Sequence, residues 1–267
     1  MQIEQIDRLP FETTYYNAPL GNGEMGVQPL LWINGKSNKL PVSIEALVIT
    51  SDLQGVSMPS ENNNAQTLAN EFIDTLLLMS EIGDLPGLDK ILLILAGDLF
   101  ASLTDNRRGL SGNIFPFLKR VADLKELQSL VVLGNHDQLE SEEKEILDKH
   151  SNFHLLDNKT IDIGGVIFGG IDGVIGSNGK PNRVTPENYL KQIKKLKQQN
   201  TDVLILHEGP LIETENLLGN EFITNYLVHN SFPLVVSGHA HWNTISAKLS
   251  DSQILNVDSR VLVIHQN

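Results

Sequence analysis

Five aliphatic runs punctuate the chain, and each ends abruptly in polar residues. They are Ala46-Leu47-Val48-Ile49-Thr50, Leu92 to Ala96, Ser129-Leu130-Val131-Val132-Leu133, Asp202 to Leu206 and Leu234-Val235-Val236-Ser237. Short continuous apolar runs bounded by turn residues read as strands buried on both faces. Between them the apolar residues recur every three or four positions, which predicts helices. Leu68, Phe72, Leu76 and Met79 mark one over 65–82, after a polar loop holding Asn62-Asn63-Asn64. Others are expected over 114–127, 140–149 and 213–230. Thr185-Pro186-Glu187 opens a further helix as an N-cap followed by proline, with Leu190, Ile193 and Leu196 turned inward. Short β runs are expected at 153–156, 160–163 and 165–171, and more strands over 244–265. Alternating strands and helices define an α/β domain.

Residues 1–43 break this pattern. Pro10, Pro19, Pro29 and Pro41 interrupt them, and Phe11, Tyr15, Tyr16 and Trp32 are scattered among them. The reading is an irregular N-terminal arm packed on a domain spanning 44–267. A hairpin is expected at Trp32-Ile33-Asn34-Gly35-Lys36, because Asn-Gly favours the tight type I′ turn. Gly21 to Gly26 matches the spacing of a dinucleotide-binding loop, but no strand precedes it and Pro29 stands where a helix should run. Gly179-Lys180 resembles the end of a P-loop, but Pro181 replaces the required Ser or Thr. Neither is read as a phosphate loop.

Charge and composition narrow the function. The 267 residues suffice for one large α/β domain. A formal net charge of -13 argues against general affinity for nucleic acid or anionic membrane. The lysines at 191, 194, 195 and 197 read as a solvated helix face. Without cysteine there is no disulfide, thiolate nucleophile or thiolate metal site, so any metal would need His, Asp, Asn or Gln. The first residues lack a basic segment followed by an apolar one, and no stretch approaches 18 apolar residues. A cytoplasmic protein is expected.

The chemistry gathers at the strand ends. They present Asp52 with Gln54, Asp98 after Gly97, Asn135 with His136, His207, and His239 with His241. Four of the eight histidines lie there. An aspartate after a strand is by itself most often a turn former, yet in open α/β sheets ligands bind at the carboxyl ends of strands. The joint pattern is what points to a metal site.

The order Asp-x-Gln, Gly-Asp, Gly-Asn-His-Asp, a lone His and Gly-His-Ala-His runs from about Ala46 to Ser259. It resembles the calcineurin-like metallophosphoesterase superfamily. That resemblance implies two packed mixed β-sheets flanked by helices, a four-layer α-β-β-α sandwich. It also implies two divalent metal ions side by side, bridged by Asp98. Asp52, Gln54 and His241 would hold one, and Asn135, His207 and His239 the other. A water between the ions would attack phosphorus as hydroxide, and His136 would stabilise or protonate the leaving oxygen.

Most members carry histidine where this chain has Gln54. A neutral amide oxygen is the harder ligand and suits Mn²⁺ or Mg²⁺ over Zn²⁺, with iron as a further candidate. The Asp-x-Gln variant is similar at that position to Mn-dependent ADP-ribose and CDP-alcohol diphosphatases. The function implied is hydrolysis of a phosphodiester or pyrophosphate bond in a small nucleotide-like substrate. Arg107 and Arg108 are candidates to hold a second phosphate. Alternatives within the same fold are a phosphoprotein phosphatase or phosphomonoesterase, and a non-catalytic binding scaffold.

Overall fold

The computed structural model describes residues 1–20, 24–58, 65–177 and 179–267. The Asn62-Asn63-Asn64 loop, and Gly21 to Gly23 of the dinucleotide-like run, lie outside the described residues. Met25 opens a strand rather than a helix.

Two β-sheets pack face to face, and side-chain parity explains how. In the first sheet, Phe153–Leu155, Gln128–Val132, Ile91–Ala96 and Ala46–Thr50 run parallel. The order continues through Arg260–Gln266, Met25–Ser37, Glu12–Pro19 and Val56–Ser57, and Ile3–Ile6 also pairs with Met25–Ser37. Along Ala46–Thr50, Leu47 and Ile49 face the second sheet, while Ala46 and Val48 face the outer helices. The second sheet is ordered Lys159–Ile163, Val166–Ile171, Val203–Glu208, Leu234–Gly238, Ser252–Asn256 and Ser246–Leu249, with its four central strands parallel. Val203, Ile205, Leu234 and Val236 meet the first sheet.

Helices cover both outer faces. Leu68–Ile82 (α1), Phe115–Asp123 (α2) and Ser141–Leu147 (α3) pack on the first sheet through Phe72, Leu76, Leu118 and Leu147. Pro186–Gln198 (α4) and Glu221–His229 (α5) pack on the second through Tyr189, Ile193, Ile223 and Leu227. This is the expected four-layer sandwich. The caps are legible in the residues. Thr67 accepts from the Asn70 N–H to start α1, Gly83 ends it at φ 86°, and Thr185 caps α4 ahead of Pro186. The helix expected over 213–230 is shorter. A 3₁₀ turn at Glu213–Glu215 ends at Asn216 in the left-handed region, and α5 begins only at Glu221.

The described residues of 1–43 are not an irregular arm. They contribute three strands to the first sheet, with Met25–Ser37 paired to Glu12–Pro19 on one side and Arg260–Gln266 on the other. Pro29 is tolerated because the pairing to Arg260–Gln266 begins only at Leu31, so proline's missing N–H falls where one side of the strand is open. The hairpin expected at Asn34-Gly35 is absent, since the strand runs straight through. A Cβ on Gly35 would lie 2.7 Å from Ile264 Cδ1 and 2.9 Å from the Gln5 carbonyl. Crowding by both neighbours, not a turn, explains this glycine. Trp32 is buried, stacks on Phe72 at 5.4 Å, and donates from Nε1 to Thr14 Oγ1.

Candidate metal centre

The carboxyl ends of the two sheets' central strands meet at one edge. Asp52, Asp98 and Asn135 follow Ala46–Thr50, Ile91–Ala96 and Gln128–Val132 of the first sheet. His207 ends Val203–Glu208, and His239 follows Leu234–Gly238 of the second. His207 continues the parity of Val203 and Ile205, so its ring enters the space between the sheets. Asp52, Asp98 and His239 adopt φ of 55°, 53° and 65°, left-handed values that each cost about 1–3 kcal/mol for a non-glycine residue. Strain of this kind persists where the surroundings fix it, and it concentrates at functional sites.

Close approach of the loops requires two glycines. A Cβ on Gly134 would sit 2.0 Å from Asp98 Oδ1, and one on Gly238 would sit 2.4 Å from Asp52 Oδ2. The aspartates therefore lie directly against the backbone of the neighbouring loop.

Asp98 is the centre of the site. Its Oδ1 accepts the His136 N–H at 2.9 Å, and its Oδ2 accepts from Gln54 Nε2 at 3.1 Å. His207 Nε2 is 3.3 Å from Oδ2, and His136 Nε2 is 3.9 Å from it. Ligand atoms of Asp98, His207 and His239 all fall within 4.8 Å of one another. The rings of His207 and His239 cross edge-to-face with centroids 5.0 Å apart.

The donor set fits a divalent cation. His207 Nδ1 contacts the Ala96 carbonyl at 2.8 Å, which directs Nε2 into the site. That Nε2 is fully buried and makes no hydrogen bond, and the same is true of Asn135 Oδ1. A buried polar atom without a partner costs about 1–3 kcal/mol, and a bound cation removes that cost. His241 is arranged in the same way. Its Nδ1 contacts Asp258 Oδ2 at 2.7 Å, leaving Nε2 as its ligand atom, although the side chain is largely exposed.

The remaining candidates occupy the same edge. Asp52 Oδ2 accepts from Ser51 Oγ at 2.6 Å and from the His239 N–H at 2.9 Å. Asp52, Gln54, Asp98, His136, His239 and His241 line a cleft of about 960 Å³, while Asn135 and His207 lie beneath it. Among the described residues only Asp98, His207 and His239 form a tight three-ligand group; His241 and Asp52 stand outside it. Arg107 and Arg108 also line the cleft, with Arg107 ion-paired to Asp105 at 2.6 Å.

Electrostatics favour a cation here. Burial pushes Asp52 up to about 8, and the carboxylates of Asp258 and Asp98 push in the same direction. Burial also works against the Asp98 charge, but His207 beside it outweighs that effect and holds the carboxyl below its ordinary value. Burial would lower His207, yet Asp98 lifts it to about 10. His239 is pushed down to about 4 by burial and by His207, leaving the neutral imidazole that a metal requires.

Several supporting residues carry no such signal in the sequence. Asp137 accepts from the N–H groups of Leu99, Phe100 and Gly134 at 2.8, 3.0 and 2.9 Å, joining the Asp98 loop to the Asn135 loop. The residue is visible inside Gly-Asn-His-Asp, but its role is not. Asn182 Nδ2 donates to the carbonyls of Gly134 and Asp137, bracketing Asn135 and His136 from 45 or more residues away. Tyr16, from the N-terminal strands, hydrogen-bonds Ser259 beside Asp258. Nothing local to Asn182 or Tyr16 announces these contacts.

Two packed mixed sheets with ligand residues at their carboxyl edge define the metallophosphoesterase sandwich. Solved structures share this fold. The protein TT1561 of Thermus thermophilus is 12% identical and superposes with a TM-score of 0.58, over 81% of this chain and 90% of that one. A second solved structure is 11% identical with a TM-score of 0.56, over 80% of this chain and 90% of its own. At such identity the likeness is one of fold. No curated protein matches the chain in sequence. The model for the calcineurin-like phosphoesterase family matches residues 46–243, and the chain belongs to that family. It is a metal-dependent phosphoesterase. Among the described residues no helix is long and apolar enough to cross a membrane.

Proposed function

We propose that this enzyme cleaves a phosphodiester or pyrophosphate bond in a small nucleotide-like molecule, in the cytoplasm, with two divalent ions of which Mn²⁺ is preferred. The observation that carries this reading is the buried Asp98 carboxylate. Its Oδ2 contacts Gln54 and lies 3.3 Å from His207 Nε2, and the buried Asn135 Oδ1 has no hydrogen-bond partner. Asp52, Gln54 and His241 would hold one ion, Asn135, His207 and His239 the other, and Asp98 both. Such ions, when bound, polarise phosphoryl oxygens and lower the pKa of coordinated water.

The protein's own residues supply the rest. Asp98 stays ionised because His207 adjoins it, and His239, though exposed on one side, stays neutral because partial desolvation and the neighbouring His207 disfavour its charge. His136 lines the cleft with its Nδ1 oriented by Ser111 Oγ at 3.1 Å, so its Nε2 can deliver a proton to the departing oxygen. Arg107 and Arg108 would meet a second anionic group. Gln54 now gives its amide N–H to Asp98; half a turn of the terminal amide offers the oxygen instead, a hard ligand suited to Mn²⁺ or Mg²⁺. The net charge of -13 supports a small substrate held at the metal site rather than a nucleic acid held by a basic groove.

The test is turnover of bis-p-nitrophenyl phosphate, p-nitrophenyl phosphate and ADP-ribose by metal-stripped protein resupplied with Mn²⁺, Mg²⁺ or Zn²⁺. Diester or pyrophosphate cleavage, best with Mn²⁺, is expected. Cleavage of the monoester alone would transfer the reading to a phosphomonoesterase.

A further inference from the structure

The cleft above the metal ligands has walls of opposite chemistry. Ser102, Asp105, Arg107 and Arg108 contribute a polar, partly cationic one. Glu12–Pro19 and Met25–Ser37, with the residue that follows the first strand, contribute Pro19, Leu20, Met25, Pro29, Leu31 and Ile33. None of these six is charged. Leu20 is 48% exposed, and its side chain lies across Gly26, where a Cβ would come within 2.7 Å of Leu20 Cδ2.

This wall is tied to the metal-ligand loops. Tyr16 is buried, and its ring packs so closely on Gly55 that a Cβ there would lie 2.2 Å from Tyr16 Cδ2. Its hydroxyl bonds Ser259, next to the aspartate that orients His241. The apolar surface is thus held in register with the chemistry below it. Apolar surface continuous with a polar ligand site marks a contact for the apolar part of that ligand.

Two observations decide what kind of group fits. On the side of the N-terminal strands the rings of Tyr16 and Trp242 are 5% and 1% exposed and present no free face for a base, whereas Phe100, partly exposed, stands in the loop that carries Arg107 and Arg108. What the wall offers is mostly aliphatic carbon, with Gln28 and Arg8 as its polar members. It also lies outside residues 46–243, the stretch that matches the family model.

We propose that these N-terminal strands form a subsite for an aliphatic group on the scissile phosphate, so that the substrate class is phosphoesters with an alkyl or acyl chain. Leu20 and Met25 set the selectivity. This rests on the phosphoesterase reading above, and any nucleotide-like portion lies toward Arg107 and Arg108.

The test uses p-nitrophenyl phosphodiesters carrying methyl, butyl or octyl groups, with the Mn²⁺-loaded full chain. In the wild type kcat/KM should rise about tenfold or more from methyl to octyl as methylenes leave water. In Leu20→Ser and Met25→Ser the octyl-to-methyl ratio should fall toward one. A flat series in an active wild type, or a ratio that survives both substitutions, overturns the proposal. If no ester turns over, the diester reading fails, and binding then decides the subsite. Octyl phosphate should raise the thermal midpoint of the wild type where methyl phosphate does not, and Leu20→Ser should remove that difference. Equal effects of the two phosphates would overturn the subsite as well.

Discussion

His207 Nε2 and Asp98 Oδ2 approach to 3.3 Å, an ion-pair distance, with both side chains buried. Each comes from a different sheet, so the contact also joins the two halves of the sandwich at its catalytic edge.

Asp98→Ala should therefore remove metal binding and activity together. The expected loss in kcat is on the order of 10²–10³ or more, the scale of deleting a principal electrostatic group. Calorimetric metal titration beside a turnover assay checks it. Retained turnover would refute the shared-carboxylate mechanism.

Metal affinity should rise with pH. Without metal, Asp52 titrates at about 8 and His207 at about 10, so at pH 7 both carry protons that a cation must displace. Binding at pH 7 should release about two protons, and at pH 9 only about one, because Asp52 is then already ionised. Apparent affinity climbs between these values and is weakest in acid. Calorimetry in buffers of different ionisation enthalpy counts the protons. A proton count near zero at pH 7 would contradict the assignment.

Asp137→Asn should weaken the site without touching a ligand. One of its oxygens would become an amide N–H₂ facing backbone donors on the Asp98 or Asn135 loop. Losses of support at this distance typically cost about 10–100-fold in metal affinity or activity. Asp258→Asn should do the same through His241, and only for the ion held by Asp52, Gln54 and His241.

Gln54→His should move metal preference toward Zn²⁺, since imidazole is the softer ligand. The measurement is the ratio of Zn²⁺- to Mn²⁺-supported turnover. It should increase in the variant, and an unchanged ratio would mean that Gln54 does not contact metal.

The catalytic edge is readable in the chain because the physics there is local. Each aliphatic run ends where its strand leaves the core, and the next polar residue stands at the sheet edge, as with Ile94-Leu95-Ala96-Gly97-Asp98. His207 can be placed in the same way because Val203 and Ile205 fix its parity. The N-terminal strands escape such a reading because their pattern is set by neighbours far along the chain. Pro29 resembles a breaker, yet the short reach of Arg260–Gln266 leaves it an open side; Gly35 resembles a turn, yet Ile264 and Gln5 crowd it. Asn182 and Asp258 act only through tertiary contact, which no local spacing encodes.

The most direct measurement of the central claim is the number of Mn²⁺ ions bound per chain, taken by calorimetry on metal-stripped wild type and on Asp98→Ala. Two ions in the wild type, and a collapse of both in the variant, are expected of a carboxylate shared between them. A single ion in the wild type, or one site left intact without Asp98, would contradict it.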